Sequence, residues 1–206
     1  DVFEFKASLP QINGYDMFWQ DGDVVSAGTN NSSTPLANVP ASSRTASFHF
    51  SKALSNGAVV RFPESRNPNS LTVPAVQTSV GGRCAADAMP LYGTVSLTGD
   101  SEPSVALKSM MAILKFSVKG EATLVKVRLE SLAGAPLNGV FSLSKTGSLT
   151  NVSKLEGYTD VTFAQPLVLG ASSPTDIYVT VPPAAYEKGF TLKIYDNSDN
   201  YMMVKF

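Results

Sequence analysis

The sequence predicts an all-β protein of two tandem β-sandwich domains, with largely antiparallel strands and long loops in the first domain. Three observations lead to this prediction. Several short runs alternate apolar with polar residues, the pattern of a half-buried strand. Turn-forming residues separate the runs, and 13 Pro and 15 Gly are spread along the chain. Hydrophobic content of 43% with 16% charged residues is typical of a folded chain.

The first half of the chain alternates candidate strands with long polar loops. Residues 28–43 are rich in Asn, Ser, Thr and Pro and are predicted to be an exposed loop. Residues 63–73 contain two Pro and two Asn and are also predicted to be irregular. The predicted strands are 2–7, 17–19, 24–27, 46–50, 58–62 and 91–97.

A polar stretch between two turn-formers marks the predicted domain boundary. Gly99 and Pro103 flank Asp100, Ser101 and Glu102, a composition typical of linkers. We therefore predict an N-terminal β-sandwich domain over 1–103 and a C-terminal one over 104–206.

The second domain opens with an ambiguous segment. Leu107, Met110, Met111 and Leu114 fit a helical stripe, so a short helical entry is an alternative before Ala112. After Ala112, the alternation favours a strand.

Two alternating runs follow and predict a β-hairpin. Apolar residues recur at every second position over 114–118 and again over 125–129, with Gly120 and Glu121 between the two runs. Each run is expected to have one solvent-exposed face and one buried face.

The remaining strands of the second domain are read in the same way. Residues 177–181 alternate and stop at Pro182-Pro183, and residues 190–194 alternate before a polar cluster at 196–200. That cluster predicts a turn into a strand at 201–206. Shorter strands are predicted at 140–143, 161–163 and 167–169.

The residues needed for catalysis are scarce. His49 is the only histidine and Cys84 the only cysteine, so there is no intramolecular disulfide and no His/Cys zinc set. His49 lies between two Phe residues and is predicted to face solvent. The Gly-x-Ser-x-Gly motif of α/β-hydrolases is also missing. We expect no enzyme activity, no cofactor and no metal.

Charge and hydropathy argue against a nucleic-acid partner and against a transmembrane segment. The net charge is −1, with no basic field for nucleic acid. The longest apolar stretch, Met110–Leu114, is too short to span a membrane.

The only tryptophan precedes an acidic turn. Asp21 and Asp23 flank Gly22 and would suit the start of a calcium loop, but Val24, Val25 and Ser26 follow where further oxygen ligands would be needed. Asp and Gly are also ordinary turn residues. The sequence favours a structural turn, with Trp19 as a core or inter-domain anchor.

Six segments occur in a characteristic order along nearly the whole chain. They are VFEFKA at 2–7, WQDGDV at 19–24, VPAVQT at 73–78, AILKFSV at 112–118, LNGVF at 137–141 and VTVPP at 179–183. In this order the chain resembles the fimbrillin-like (major and minor fimbrial subunit) family of Bacteroidales cell-surface proteins.

The resemblance implies domains of transthyretin-like build and export as a lipoprotein precursor. It implies a lipid anchor on a cysteine upstream of Asp1 and a location at the outer membrane, in a fimbrium. It also implies assembly with other fimbrial subunits, as a homo- or hetero-polymer, by β-strand exchange.

The C-terminal strand is the candidate for this exchange. An incomplete sandwich leaves edge groups unpaired and a strip of core uncovered, and a donated strand repairs both. The second domain is hypothesised to lack its last strand, because the sequence stops on an apolar strand residue. The candidates for strand exchange are Tyr201, Met202, Met203, Val204 and Phe206.

An alternative function is that of a surface lipoprotein that binds a glycan or a host protein without polymerising. Carbohydrate sites present exposed aromatic rings beside polar groups. The candidate ligand contacts are therefore Tyr15, Tyr92, Tyr158 and Tyr186.

Overall fold

The computed structural model describes residues 3–80, 83–97, 102–144 and 146–206 and confirms an all-β fold. Its helical content in the described ranges is a single 3-10 turn at Ala86–Ala88. The strands are β1 Glu4–Ser8, β2 Ser26–Ala27, β3 Thr45–His49, β4 Val59–Phe62, β5 Ser70–Val73, β6 Val76–Ser79, β7 Leu91–Thr94, β8 Ser104–Ala106, β9 Lys108–Ser109, β10 Ala112–Val118, β11 Thr123–Ser131, β12 Gly139–Leu143, β13 Leu149–Ser153, β14 Tyr158–Val168, β15 Thr175–Val181, β16 Phe190–Asp196 and β17 Tyr201–Lys205.

The chain forms two compact units, each assembled from separate stretches of sequence. Unit 1 contains Asp1–Leu71, Pro90–Met110 and Leu143–Gly147. Unit 2 contains Thr72–Met89, Met111–Ser142 and Ser148–Phe206. The division into folding domains at 1–103 and 104–206 stays a prediction.

Unit 1 packs two sheets around an aromatic core. One sheet has the order β3-β1-β8 and the other the order β2-β4-β7-β9. Phe5 and Phe48 come from the first sheet and pack in the same core as Val60 and Leu91 of the second. Burial of these side chains away from water is the main stabilising term of the unit.

Trp19 lies in the core of unit 1, which confirms the first of its two predicted roles. Its ring meets Phe48 and Phe62 edge-on, at centroid distances of 4.9 and 5.1 Å. Its Nε1–H donates to the backbone oxygen of Ala7 at 3.3 Å. The buried indole therefore has both its apolar contacts and its hydrogen bond satisfied.

Unit 2 is a β-sandwich of a large and a small sheet. The large sheet has the order β17-β16-β11-β14-β6, and the small one is the antiparallel pair β10-β15. Alternate residues of both sheets point into one core. Val127 and Leu192 of the large sheet pack in the same cluster as Ile177 and Val179 of β15. β12 and β13 pair separately.

The predicted hairpin over 114–118 and 125–129 is wrong. β10 pairs with β15, whereas β11 pairs with β14 and β16 in the other sheet. Alternation reports which face of a strand is buried, and the two runs share a core from opposite sheets. The chain crosses between the sheets at Gly120-Glu121 instead of turning back within one.

The hairpin between β16 and β17 is confirmed. Tyr195 pairs with Tyr201 and Thr191 with Lys205, in antiparallel register. Asp196 organises the turn, because its carboxylate accepts hydrogen bonds from the N–H groups of Ser198 and Asn200.

Several segments differ from their predictions. Residues 17–19 lie outside the assigned strands, while β5 falls inside the stretch predicted to be irregular. The two short strands predicted at 161–163 and 167–169 fall in the single strand β14, except for Leu169, which follows its end. The helical entry before Ala112 is replaced by β8 and β9. Residue 2, the predicted start of the first strand, lies outside the described residues.

Candidate functional site

An apolar seam lies open along one side of unit 2, between β10 and β17. Leu114, Phe116 and Val118 line it from β10. The large sheet contributes Leu192, Ile194, Met202, Val204 and Phe206. The seam has a volume of about 570 Å³. An open strip of this kind exposes the side chains that a closed sandwich would bury.

β17 is exposed along its whole length. Met202, Val204 and Phe206 are 54%, 43% and 51% exposed although they point towards the core side of the sheet. Their sheet neighbours Leu192 and Ile194 are only 4% and 6% exposed. These β17 side chains are therefore exposed because the seam in front of them is open.

The free edge of β17 has a defined set of hydrogen-bonding groups. Phe190 and Phe206 exchange both backbone hydrogen bonds, at 2.9 and 3.1 Å. In an antiparallel ladder bonded and non-bonded pairs alternate, so Met202 and Val204 also bond to β16. The N–H and C=O groups of Tyr201, Met203 and Lys205 must then point outward from the sheet.

The edge of β10 can be assigned through its partner β15. The Gln77 side chain binds the backbone of Thr180 on both sides, since its Nε2–H donates to the Thr180 oxygen at 3.0 Å and its Oε1 accepts from the Thr180 N–H at 3.2 Å. The backbone N–H and C=O groups of Thr180 therefore point away from β10, and those of Ile113, which lies opposite on β10, point away from β15. By alternation, Lys115 and Ser117 present their backbone groups at the same edge.

Gln77 and its neighbours close the other edge of the small sheet. The Thr180 hydroxyl donates to the backbone oxygen of Ala88 at 2.6 Å. Thr180 is fully buried, so these contacts satisfy groups that water does not reach. Strand addition to the small sheet is thus restricted to β10 at this position.

Aromatic rings close one end of the seam. Phe116 meets Phe206 edge-on at 5.4 Å, and Phe206 lies 5.6 Å from Phe190. Gly189 permits this packing, because it has a positive φ of 72° and an added Cβ would overlap the backbone oxygen of Phe206. The end of β17 is therefore held by backbone contact as well as by ring packing.

The seam continues past its other end into a second cavity of about 280 Å³. Val118, Lys119 and Met202 line both cavities, and Gly120 and Tyr201 line the second. Phe116 thus lies beside Phe206, and the segment after Val118 lies beside Tyr201. β10 and β17 consequently run in opposite directions along the seam.

A polar cluster holds the outer face of β10. Lys115 Nζ lies 2.7 Å from Asp176 Oδ2, and the Ser117 hydroxyl donates to Asp176 Oδ1 at 2.6 Å. The hydrogen bond from Lys115, followed by that from Ser117, lowers the pKa of Asp176. The same pairing raises the pKa of Lys115. The cluster links β10 to β15 on the face opposite the seam.

The five residues predicted for strand exchange all belong to this site. Met202, Val204 and Phe206 line the seam, whereas Tyr201 and Met203 lie on the free edge. Their role in exchange stays a prediction. Leu114, Phe116 and Val118 were missing from the prediction, although their alternation was visible, because alternation does not reveal which strand lacks a neighbour.

The four tyrosines predicted to contact a ligand are engaged with the protein. Tyr15 is buried, and Tyr92 donates its hydroxyl to the backbone oxygen of Thr146 at 2.9 Å. The Arg128 guanidinium lies 3.5 Å from the ring centroid of Tyr158. Tyr186 donates to the Pro182 oxygen, and burial raises its pKa to about 12. Their role as ligand contacts stays a prediction.

The acidic turn after Trp19 uses its carboxylates as backbone caps. Asp21 Oδ1 accepts from the Val39 N–H and Asp23 Oδ2 from the Gln20 N–H, both at 2.8 Å. Burial raises the pKa of Asp23. These bonds match the predicted structural turn. The predicted solvent-facing position of His49 is also found, with Nδ1 at 3.3 Å from Glu4 Oε2.

The described ranges contain no cluster of three or more His, Cys, Asp or Glu residues. In the same part of the chain, no helix is long and apolar enough to cross a bilayer.

No protein-family model and no curated protein matches the sequence. Two solved structures are similar to the chain. One is a candidate cell adhesion protein from Bacteroides ovatus ATCC 8483, with a TM-score of 0.59, 13% identity, and coverage of 100% of this chain and 87% of that chain. The other is a candidate cell adhesion protein from Bacteroides uniformis ATCC 8492, with a TM-score of 0.53, 14% identity, and coverage of 98% and 84%. At these identities the similarity shows a shared fold.

Proposed function

We propose that this chain is a fimbrial subunit or fimbrillin-like surface adhesin that assembles by β-strand complementation, without catalysis. The open seam of unit 2 is the observation that carries the proposal. Its partners would be other fimbrial subunits, and its location the cell surface, in a fimbrium at the outer membrane. The adhesion candidates that share the fold support a surface role.

The geometry of the seam suits an incoming strand. Two free edges face it, and apolar residues line it from both sheets. A strand with apolar residues at every second position would fill the seam with one face. Its backbone would bond to the outward groups of either β10 or β17. The complex would cover exposed core and remove an unpaired edge in one step.

A seam variant tests this proposal in cells that express the full-length precursor. Val204→Asp places a carboxylate in the apolar seam, where an incoming strand would bury it without a partner. We expect the SDS-resistant ladder of multimers in surface material to be lost. Since Val204 is 43% exposed, the unassembled subunit should still fold, which circular dichroism would check.

The matched control is Val168→Asp. Val168 also belongs to unit 2 and is 72% exposed, but lies outside the lining of the seam. This variant should give the same ladder as the unaltered protein. A folded Val204→Asp subunit that still forms the full ladder would overturn the proposal.

A further inference from the structure

The edge of β17 lacks the features by which proteins protect exposed strands. Protection usually comes from prolines, bulges, or charged side chains along the edge. Residues 201–206 contain neither Pro nor a register shift, and Lys205 is their one charge. Large apolar side chains are exposed on both faces, with Tyr201 and Met203 on one and Met202 and Val204 on the other. Such an edge is suited to pairing with another strand.

We propose that two copies of this chain associate through β17, in an antiparallel register centred on Met203. The two edges would form one continuous sheet across a two-fold axis. The pairing is isologous, so it closes on itself and does not propagate. It goes beyond the proposed function and does not rest on it, because it requires no donated strand.

The positions of the outward groups select this register. The free N–H and C=O groups belong to Tyr201, Met203 and Lys205. Centring on Met203 places Met203 opposite Met203 of the second copy, and Tyr201 opposite Lys205 of the second copy. All three positions then become bonded pairs, each exchanging two hydrogen bonds. No outward group within β17 is left without a partner.

The side chains favour the same register. Tyr201 would lie beside Lys205 of the second copy, at a distance where ammonium and aromatic ring attract each other. On the other face, Met202 would lie opposite Val204 of the second copy. Centring on Lys205 would place two ammonium groups directly opposite each other. Centring on Tyr201 would leave the groups of Lys205 outside the ladder.

This pairing would also cover part of the seam. Met202 and Val204 of the second copy would extend the apolar inner face of the large sheet beyond β17. A strand donated by another protein to the β17 edge would therefore compete with the dimer.

Sedimentation equilibrium of the 206-residue chain and its charge variants tests the proposal. A single strand pair buries little area, so we expect a dimer with a Kd on the order of 100 µM. Tyr201→Lys would place like charges opposite each other at both symmetric positions and weaken the dimer by about fivefold or more. Tyr201→Lys combined with Lys205→Glu places opposite charges at both positions and should restore the Kd to within about threefold.

Val168→Lys is the control for added positive charge. It introduces the same side chain at an exposed position away from β17 and should leave the Kd unchanged. A chain that stays monomeric at about ten times the expected Kd would overturn the proposal. So would a dimer that Tyr201→Lys leaves unchanged, or one that the double variant does not restore. None of these three outcomes bears on the Val204→Asp ladder, which depends on subunit assembly in cells.

Discussion

In unit 2 the Gln77 side chain takes the place of a neighbouring strand beside Thr180. Its amide donates to and accepts from the backbone of Thr180, as a neighbouring peptide group would. Gln77 is 1% exposed and Thr180 fully buried, so water cannot replace these bonds. One side chain therefore links β6 of the large sheet to the β15 edge of the small sheet.

Gln77→Met tests this link. The replacement keeps the length of the side chain but leaves a buried N–H and a buried C=O of Thr180 without partners. We expect the free energy of unfolding in urea to fall by about 2–4 kcal/mol. Thr78→Ala, at the exposed neighbouring position, should stay within about 0.5 kcal/mol of the unaltered protein. A loss for Gln77→Met no larger than that of the control would contradict the role of the amide.

For single residues, the sequence predicted the burial of apolar side chains better than the burial of polar ones. Trp19 was expected to be a core or inter-domain anchor, and it lies in the core of unit 1. Gln77 gave no signal, because a glutamine in an alternating run looks the same whether it faces water or a buried peptide. The alternation at Val125, Val127 and Leu129 was also inexact. A bulge at Leu124–Lys126 makes Leu124 the buried residue.

Among the elements, the β16–β17 hairpin sets the position of the free edge. Its turn depends on Asp196, whose carboxylate accepts hydrogen bonds from the Asn200 side chain and from the N–H groups of Ser198 and Asn200. These bonds favour the ionised form, so they lower the pKa of Asp196, with the Asn200 side chain as the largest cause.

The turn should therefore weaken in acid. A group with a lowered pKa in the folded state contributes stability above its unfolded value of 3.8, and this contribution is lost as the pH falls below 3.8. We expect the unaltered protein to be more stable than Asp196→Asn near neutral pH. Urea midpoints of the two proteins should converge in acid, since the other carboxylates titrate in both. A constant difference down to the lowest pH would contradict this prediction.

Strand positions were predicted more reliably than strand partners. β15 and β16 each correspond to an alternating run, and the polar cluster at 196–200 correctly predicted the turn into β17. The pairing of β10 with β15 joins residues far apart in sequence, so local turn residues carry no information about it. The seam exists because β10 and β17 end up as edges, and that follows from pairing alone.

At the scale of the whole molecule, each unit contains strands from distant parts of the sequence. β6 belongs to unit 2 although it precedes β7 of unit 1, and β8 and β9 belong to unit 1 although they follow residue 103. The all-β class was predictable because it follows from the composition of the whole chain and from the alternation of apolar and polar residues in many segments. The interleaving was not, because it depends on which remote strands pair.

Separate expression of residues 1–103 and 104–206 tests the predicted domain boundary. The first piece lacks β8 and β9, which pair with β1 and β7. The second lacks β6, which pairs with β14, and Gln77 with it. We expect both pieces to show poor dispersion of amide proton shifts, whereas the whole chain is well dispersed. A well-dispersed spectrum from either piece would show that it folds alone and support the boundary.

The parallel pairing of β6 with β14 also affects the timing of folding. Thr78 and Thr162 on these strands are 84 residues apart in the sequence, and Gln77 and its partner Thr180 are 103 residues apart. At roughly 5–20 residues per second, a ribosome needs roughly 4–17 s to supply the partner of β6. Contacts between such distant residues also form slowly. Unit 2 therefore completes its large sheet only after β14, β16 and β17 have been synthesised, long after β6.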